Sequence, residues 1–372
     1  MKILKKIEKI KQSEVKNKLI HIEILRILAA FLVIFNHTGP NGYFLFSFYP
    51  FATMPYFAYM LFTVISKIDV PLFLMITGAL LLKKDMTPKK IFTKIIRMLI
   101  VLFIFSAIFY IRLHILKYSN KFTIQDFFIR LYKGDIIIPY WYIYAYISFL
   151  LAFPFLRAIV KSLPKNTYKY LIVLDIIFIG IIPCLEYRFS TGSITINQYA
   201  KISWLFTNIV LYPLVGYYLE NLIDISKLNK KSLLISALIA IFGILISCYM
   251  TYFKHRTTGI CTEIETQDYL DLFALPNCIF VYLSIKILCD KINFPNLINK
   301  VILSMGKCSF GIYLLHMAII ESKFINNLLK QLTNVLHFNQ MISIYILCFL
   351  TLIICYVITF ILKIIPGIKN LI

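Results

Sequence analysis

Uninterrupted apolar runs of about 20 residues recur from one end of this chain to the other, and such a chain has few ways to fold. In hydrocarbon every backbone N–H and C=O must find a partner within the protein, which leaves helices or a closed barrel. Runs this long, without strict alternation of polar and apolar residues, read as helices. Hydropathy places them near 20–38, 55–82, 92–114, 138–160, 168–185, 203–220, 232–253, 268–289, 304–327 and 340–363. The expected fold class is therefore all-α: a polytopic integral membrane protein with about ten transmembrane helices. Charged residues make up only 15% of the chain, against about a quarter in soluble domains, which supports the same reading. The segment 55–82 is long enough to bend, with Pro71 as the expected hinge.

Lysine and arginine placement sets the orientation. The N-terminal arm, the tail and every second turn (83–97, 157–170, 220–232, 286–300) together hold 25 of them, and the opposite loops hold 11. Both termini are thus expected in the cytoplasm. The net charge of +22 is largely this topological signal plus attraction to anionic lipid, and no soluble basic domain is present to bind nucleic acid. Residues 1–19 read as a basic amphipathic arm on the membrane surface, 20–363 as a single transmembrane domain and 364–372 as a short cytoplasmic tail. No cleavable signal peptide is expected. The eight cysteines show no CxxC and no metal-ligand spacing, so no metal is expected; Cys184 and Cys261 near the outer side are the one pair open to a disulfide.

The first helix carries an unusual stripe. Arg26 and His37 are eleven steps apart, which returns nearly to the same face about 16 Å further along the axis, and Glu23 lies on that side too. Glu23 and Arg26 can be an interfacial ion pair with the arginine snorkelling to headgroups, and His37 an interfacial residue. Alternatively the stripe lines a polar cavity, since intramembrane ionisable groups are costly and usually functional. On that reading Asn36 and Thr38 flank the imidazole and set its tautomer or contact substrate.

Other polar residues carry similar alternatives. Thr77-Gly78 marks a close helix approach beyond Pro71. Lys94 and Arg97 begin the third helix, and Arg97 enters its apolar run, where it can meet an anionic group such as a phosphate. Trp141 and Tyr142 belong to an aromatic cluster that reads either as an interfacial belt or as a platform for sugar rings. Ser309, Tyr313 and His316 share a face of the ninth helix, as a self-satisfied hydrogen-bond cluster or as substrate contacts. Asp175 is a lone intramembrane acid, while His21, His114, His255 and His337 lie near membrane ends and are expected to be solvated. No phosphate loop, GxSxG, HExxH or redox pair is present.

In this order the segments resemble the membrane acyltransferase-3 family. Glu23, Arg26 and His37 match its first-helix signature, and Val70-Pro71-Leu72-Phe73-Leu74 with Thr77-Gly78 matches its second, with leucine and threonine replacing phenylalanine and serine. Lys94 and Arg97, Trp141-Tyr142-Ile143 through Pro154, and Ser309-Phe310-Gly311-Ile312-Tyr313-Leu314-Leu315-His316 complete the set over essentially the whole chain. The resemblance implies a multi-pass plasma-membrane O-acyltransferase of the stand-alone type. It would move an acyl group, typically acetyl from acetyl-CoA or another acyl-CoA, to a hydroxyl of a cell-surface glycan or undecaprenyl-linked saccharide. In those terms His37, Arg26 and Glu23 are the catalytic candidates, Arg97 and Lys94 bind the donor, and Trp141, Tyr142, Tyr313 and His316 contact substrate. Membrane lipid, glycan-assembly proteins or a second copy of the chain are the implied partners. Succinyl transfer to exopolysaccharide and a non-acylating glycan flippase or polymerase remain as alternatives.

Overall fold

The computed structural model describes residues 20–117, 123–181, 207–228, 230–259, 261 and 274–372. The N-terminal arm and Cys184 lie outside these residues. Every described regular element is helical. The helices are α1 (20–36), α2 (Met54–Ser66), α3 (Asp69–Leu81), α4 (Pro88–Lys117), α5 (Ile124–Lys133), α6 (Trp141–Ser162) and α7 (Lys165–Asp175). They continue as α8 (Asn208–Tyr217), α9 (Lys230–Thr258), α10 (Ala274–Lys291), α11 (Asn296–Lys307), α12 (Ser309–Ile320), α13 (Lys323–Lys330) and α14 (Gln340–Leu362).

Helices lie in the described part of each of the ten expected segments, but fewer meet the demands of a bilayer crossing. Among the described residues five stretches are long and apolar enough: Met54–Leu81, Pro88–Ile115, Ile138–Ser162, Lys230–Thr258 and Gln340–Leu362. The pair α11 and α12, bent by 69°, makes a sixth if it is one broken span. The others fall short for visible reasons. The described part of α1 is brief, α7 and α8 run into π turns, and α10 carries Lys286, Asp290 and Lys291 in its last two turns. Burial orders the layers: 67% of the apolar window in α2–α3 is packed inside the protein, against 28% for α4 and 22% for α9. Helices α4 and α9 therefore present Leu99, Phe103, Leu238 and Phe242 outward, as a lipid-facing surface would.

The helix over 54–81 is interrupted not at Pro71 but at Lys67 and Ile68, between α2 and α3. Pro71 is the third residue of α3, where the missing N–H has no intrahelical carbonyl to lose. The break is held by polar contacts: Asn36 Nδ2 donates to Asp69 Oδ2 at 2.8 Å, and Ser66 Oγ donates to Asn36 Oδ1 at 2.5 Å. Asn36 is therefore committed to the break and not to the neighbouring imidazole, contrary to its expected role.

The close approach expected at Gly78 is present. A Cβ there would lie 2.0 Å from the Pro213 carbonyl oxygen, and one at Gly216 would lie 2.0 Å from that of Met75. Two glycines, one on each helix, let α3 and α8 cross with their backbones in contact.

Two histidines expected in solvent are buried instead. His255 accepts or donates a 2.6 Å bond with the Tyr56 hydroxyl. His21 pairs with Glu220 at 2.9 Å, and Lys286, only 7% exposed, reaches the same carboxylate at 3.2 Å. Lys286 Nζ also donates to the carbonyls of Leu219 and Glu220, and the Tyr282 hydroxyl donates to Glu220 Oε2 at 3.0 Å. This cluster ties α1, the turn after α8, and α10 together, and the Glu220 and Lys286 charges are tolerated in burial because each makes several of these contacts.

Candidate active site

Helix α1 carries the stripe into the middle of the bundle. Glu23 is only 5% exposed, and Arg26 Nη1 donates to both of its oxygens, at 2.8 and 3.0 Å. The pairing depends on a glycine in another helix. A Cβ at Gly306 would meet Glu23 Oε2 at 2.2 Å and its Cα at 3.0 Å, so only a bare backbone lets the end of α11 press against the carboxylate.

Arg26 opens into a cavity of about 320 Å³. Arg97 and Lys307 line it with Arg26, and the hydroxyl-bearing residues Thr77, Tyr142, Tyr146, Ser309 and Tyr313 complete its polar wall. Three cationic residues converge on one pocket, and no Asp or Glu side chain is among its lining residues. Such a pocket is built for an anion, and the guanidinium forks suit phosphate or carboxylate oxygens. Arg97 is already engaged: its Nε and Nη2 donate to the Leu371 carbonyl at 3.2 and 3.0 Å, and the side chain of Ile372 is buried in the cavity wall. The tail after α14 therefore folds back onto this site. Lys94, one turn before Arg97, is half-buried and does not line the cavity.

His37 opens elsewhere. It lines a second cavity of about 300 Å³ with Thr38, Asn41, Glu321 and Asn326, over an apolar floor that includes Ile344 and Leu347. Glu321 Oε2 is held 3.2 Å from Arg112 Nη1. His37 Nδ1 lies 2.7 Å from the Val33 carbonyl, which can only accept, so Nδ1 carries the hydrogen and Nε2 the lone pair. Thr38 lines the cavity, although its hydroxyl donates to the Phe35 carbonyl at 2.7 Å and accepts from the Tyr43 amide at 2.9 Å. An imidazole with a free nitrogen, a carboxylate and two side-chain amides form a surface that recognises hydroxyl groups.

The expected substrate contacts divide between these cavities. Tyr142 and Tyr313 line the arginine cavity, with their rings 5.7 Å apart, so Tyr142 belongs with the cations and not with an interfacial belt. Trp141 is half-buried and lines neither cavity. The Tyr313 hydroxyl donates to the Pro139 carbonyl. His316, three residues on, is completely buried, with its ring 5.1 Å from that of His37 and edge-on to it. Asn41, Glu321 and Asn326 sit in separate short segments, and Arg112 near the end of the long α4; no local pattern links them, and only the fold brings them together. Among the described residues no group of three or more His, Cys, Asp or Glu could hold a metal ion.

An acyltransferase domain family, acyltransferase-3, has a model that matches residues 19–360. No curated protein and no solved structure matches the chain.

Proposed function

The chain belongs to the acyltransferase-3 family, and from that premise we propose that it is a membrane O-acyltransferase acting on a glycan hydroxyl. The observation that carries this reading is the pair of unlike cavities at the two ends of the Arg26–His37 stripe, one cationic and one lined by an imidazole, a carboxylate and amides. Charge placement puts the Arg26 end toward the cytoplasm, with about ten crossings and both termini inside. The donor is acetyl-CoA or a related acyl-CoA, a molecule with several phosphates on a long flexible arm. Arg26, Arg97 and Lys307 hold its anionic groups. The acceptor, a hydroxyl of a surface or lipid-linked glycan, sits in the His37 cavity of a plasma-membrane protein.

Chemically, transfer from a thioester to a hydroxyl needs a base for the hydroxyl proton and positive charge for the developing oxyanion or the donor. His37 Nε2 supplies the lone pair, with Nδ1 fixed on Val33. Glu23 holds Arg26 in one orientation. The rise of about 16 Å between Arg26 and His37 is too long for one small substrate and suits an extended arm. The test is to supply membranes containing the protein with radiolabelled acetyl-CoA or succinyl-CoA and recover the glycan. Label in the glycan from either donor supports the reading and identifies the acyl group. Glycan moved or lengthened with no donor consumed would instead make the chain a flippase or polymerase.

A further inference from the structure

The two cavities share no lining residue, and the wall between them contains an imidazole that the mechanism above does not use. Along α12 the residues fall in order. Ser309 and Tyr313 face the arginine cavity, His316 is sealed, and Ile320 and Glu321 at the helix end face the histidine cavity. His316 Nδ1 is 2.5 Å from the Tyr313 carbonyl, so it carries the hydrogen and leaves the lone pair on Nε2. That Nε2 is buried with no hydrogen-bond partner. A buried polar atom without a partner is costly and calls for an explanation. Its neighbours offer none, because the His37 ring beside it has its own hydrogen committed to Val33.

Resting on the acyl-transfer reading, we propose that His316 is a catalytic residue that carries the acyl group covalently from one cavity to the other. In the first half-reaction Nε2 attacks the thioester carbonyl carbon. The C–S bond breaks, the Nε2–C bond forms, and the proton lost from the imidazole leaves with the thiol. In the second, the acceptor hydroxyl attacks that acyl carbon while His37 Nε2 takes its proton. The N–C bond breaks, and the proton returns to the His316 imidazole. Summed over both steps, thioester and alcohol give ester and thiol, with both histidines restored.

This assignment accounts for three observations at once. It explains the free nitrogen of His316, its position between the donor and acceptor pockets, and its complete burial, since an acyl-imidazole exposed to water hydrolyses. It also gives the two histidines different work: His316 is the nucleophile and His37 the base. The thioester approaches past Tyr313, whose ring is 6.0 Å from that of His316.

The test is isotope exchange between acetyl-CoA and labelled CoA, with no acceptor present, in the purified, reconstituted full chain. A covalent carrier makes the first half-reaction reversible by itself. Wild type and His37→Ala are expected to catalyse exchange, while transfer of acetyl to glycan by His37→Ala falls by about 100-fold or more. His316→Gln and His316→Ala are expected to lose exchange by at least about 1,000-fold. Their acetyl-CoA affinity and melting temperature, measured in the same preparations, should match wild type, which separates lost chemistry from lost folding. Exchange retained in His316→Gln, or absent from a wild-type protein that does acetylate glycan, overturns the proposal. Wild type that binds acetyl-CoA but transfers acetyl to no glycan defeats the acyl-transfer reading itself.

Discussion

Replacing Glu23 by Gln removes the charge that holds Arg26 while keeping its shape. A fully buried ion pair broken on one side costs about 3–5 kcal/mol, and a fully exposed one about 0–1 kcal/mol. Here the side chains are 7% exposed for Glu23 and 26% for Arg26, which lines an open cavity, so the loss falls near about 2 kcal/mol. If that energy is spent on placing the guanidinium for the donor, it converts to a fall of about 30-fold in kcat/KM. Gly306→Ala should act through the same carboxylate, because its Cβ would strike Glu23 Oε2 at 2.2 Å. The two changes are then non-additive, and the double variant should be little worse than either single one. The assay is acyl-CoA turnover with glycan acceptor in reconstituted vesicles, with donor affinity measured separately. Glu23→Gln within twofold of wild type, or strictly additive losses in the double variant, would refute the idea that Glu23 works by positioning Arg26.

Other consequences follow from the packing. Gly78→Ala puts a methyl group against the Pro213 backbone and should destabilise the protein by about 1–3 kcal/mol, seen as a lower melting temperature in detergent. Lys286→Met takes one cation from the buried Glu220 carboxylate and the donor from the carbonyls of Leu219 and Glu220, and should cost about 3–5 kcal/mol. The double change Glu220→Gln/Lys286→Met should recover part of that loss in the same melt. Asp85, in the turn before α4, is held below the ordinary carboxylate range by hydrogen bonds from Lys161 and Arg157. Its contribution to stability is present above the unfolded value of about 3.9 and fades as pH falls through the lower folded one. Melting curves of wild type and Asp85→Asn should therefore differ at neutral pH and converge in acid.

The parts of this architecture legible in the sequence are those written in local periodicity. Glu23, Arg26 and His37 announce a common face because helical spacing alone puts them there, and Gly78 announces a crossing because small residues are what a crossing needs. What stayed hidden depends on residues far apart in the chain. His21 reads as a terminal histidine until the turn after α8 brings Glu220 to it and α10 brings Lys286 to the same carboxylate. Arg97 reads as a free donor contact until the tail returns Leu371 to it. The Arg26–His37 stripe suggested one continuous groove, whereas α12 walls it into two cavities by placing Tyr313 and His316 across it. Pro71 is the one local signal for a break in 54–81, but the contacts that put the break at Lys67 and Ile68 come from Asn36 in α1.

The central claim is that the histidine cavity is where an acyl group meets its acceptor, apart from where the donor is held. It is tested most directly by comparing wild type with His37→Ala in reconstituted vesicles given labelled acetyl-CoA and the native glycan. The expected result is unchanged donor affinity with transfer of label to glycan lowered by about 100-fold or more, as for the loss of a general base. Full transfer by His37→Ala, or loss of donor binding in that variant, would contradict the account.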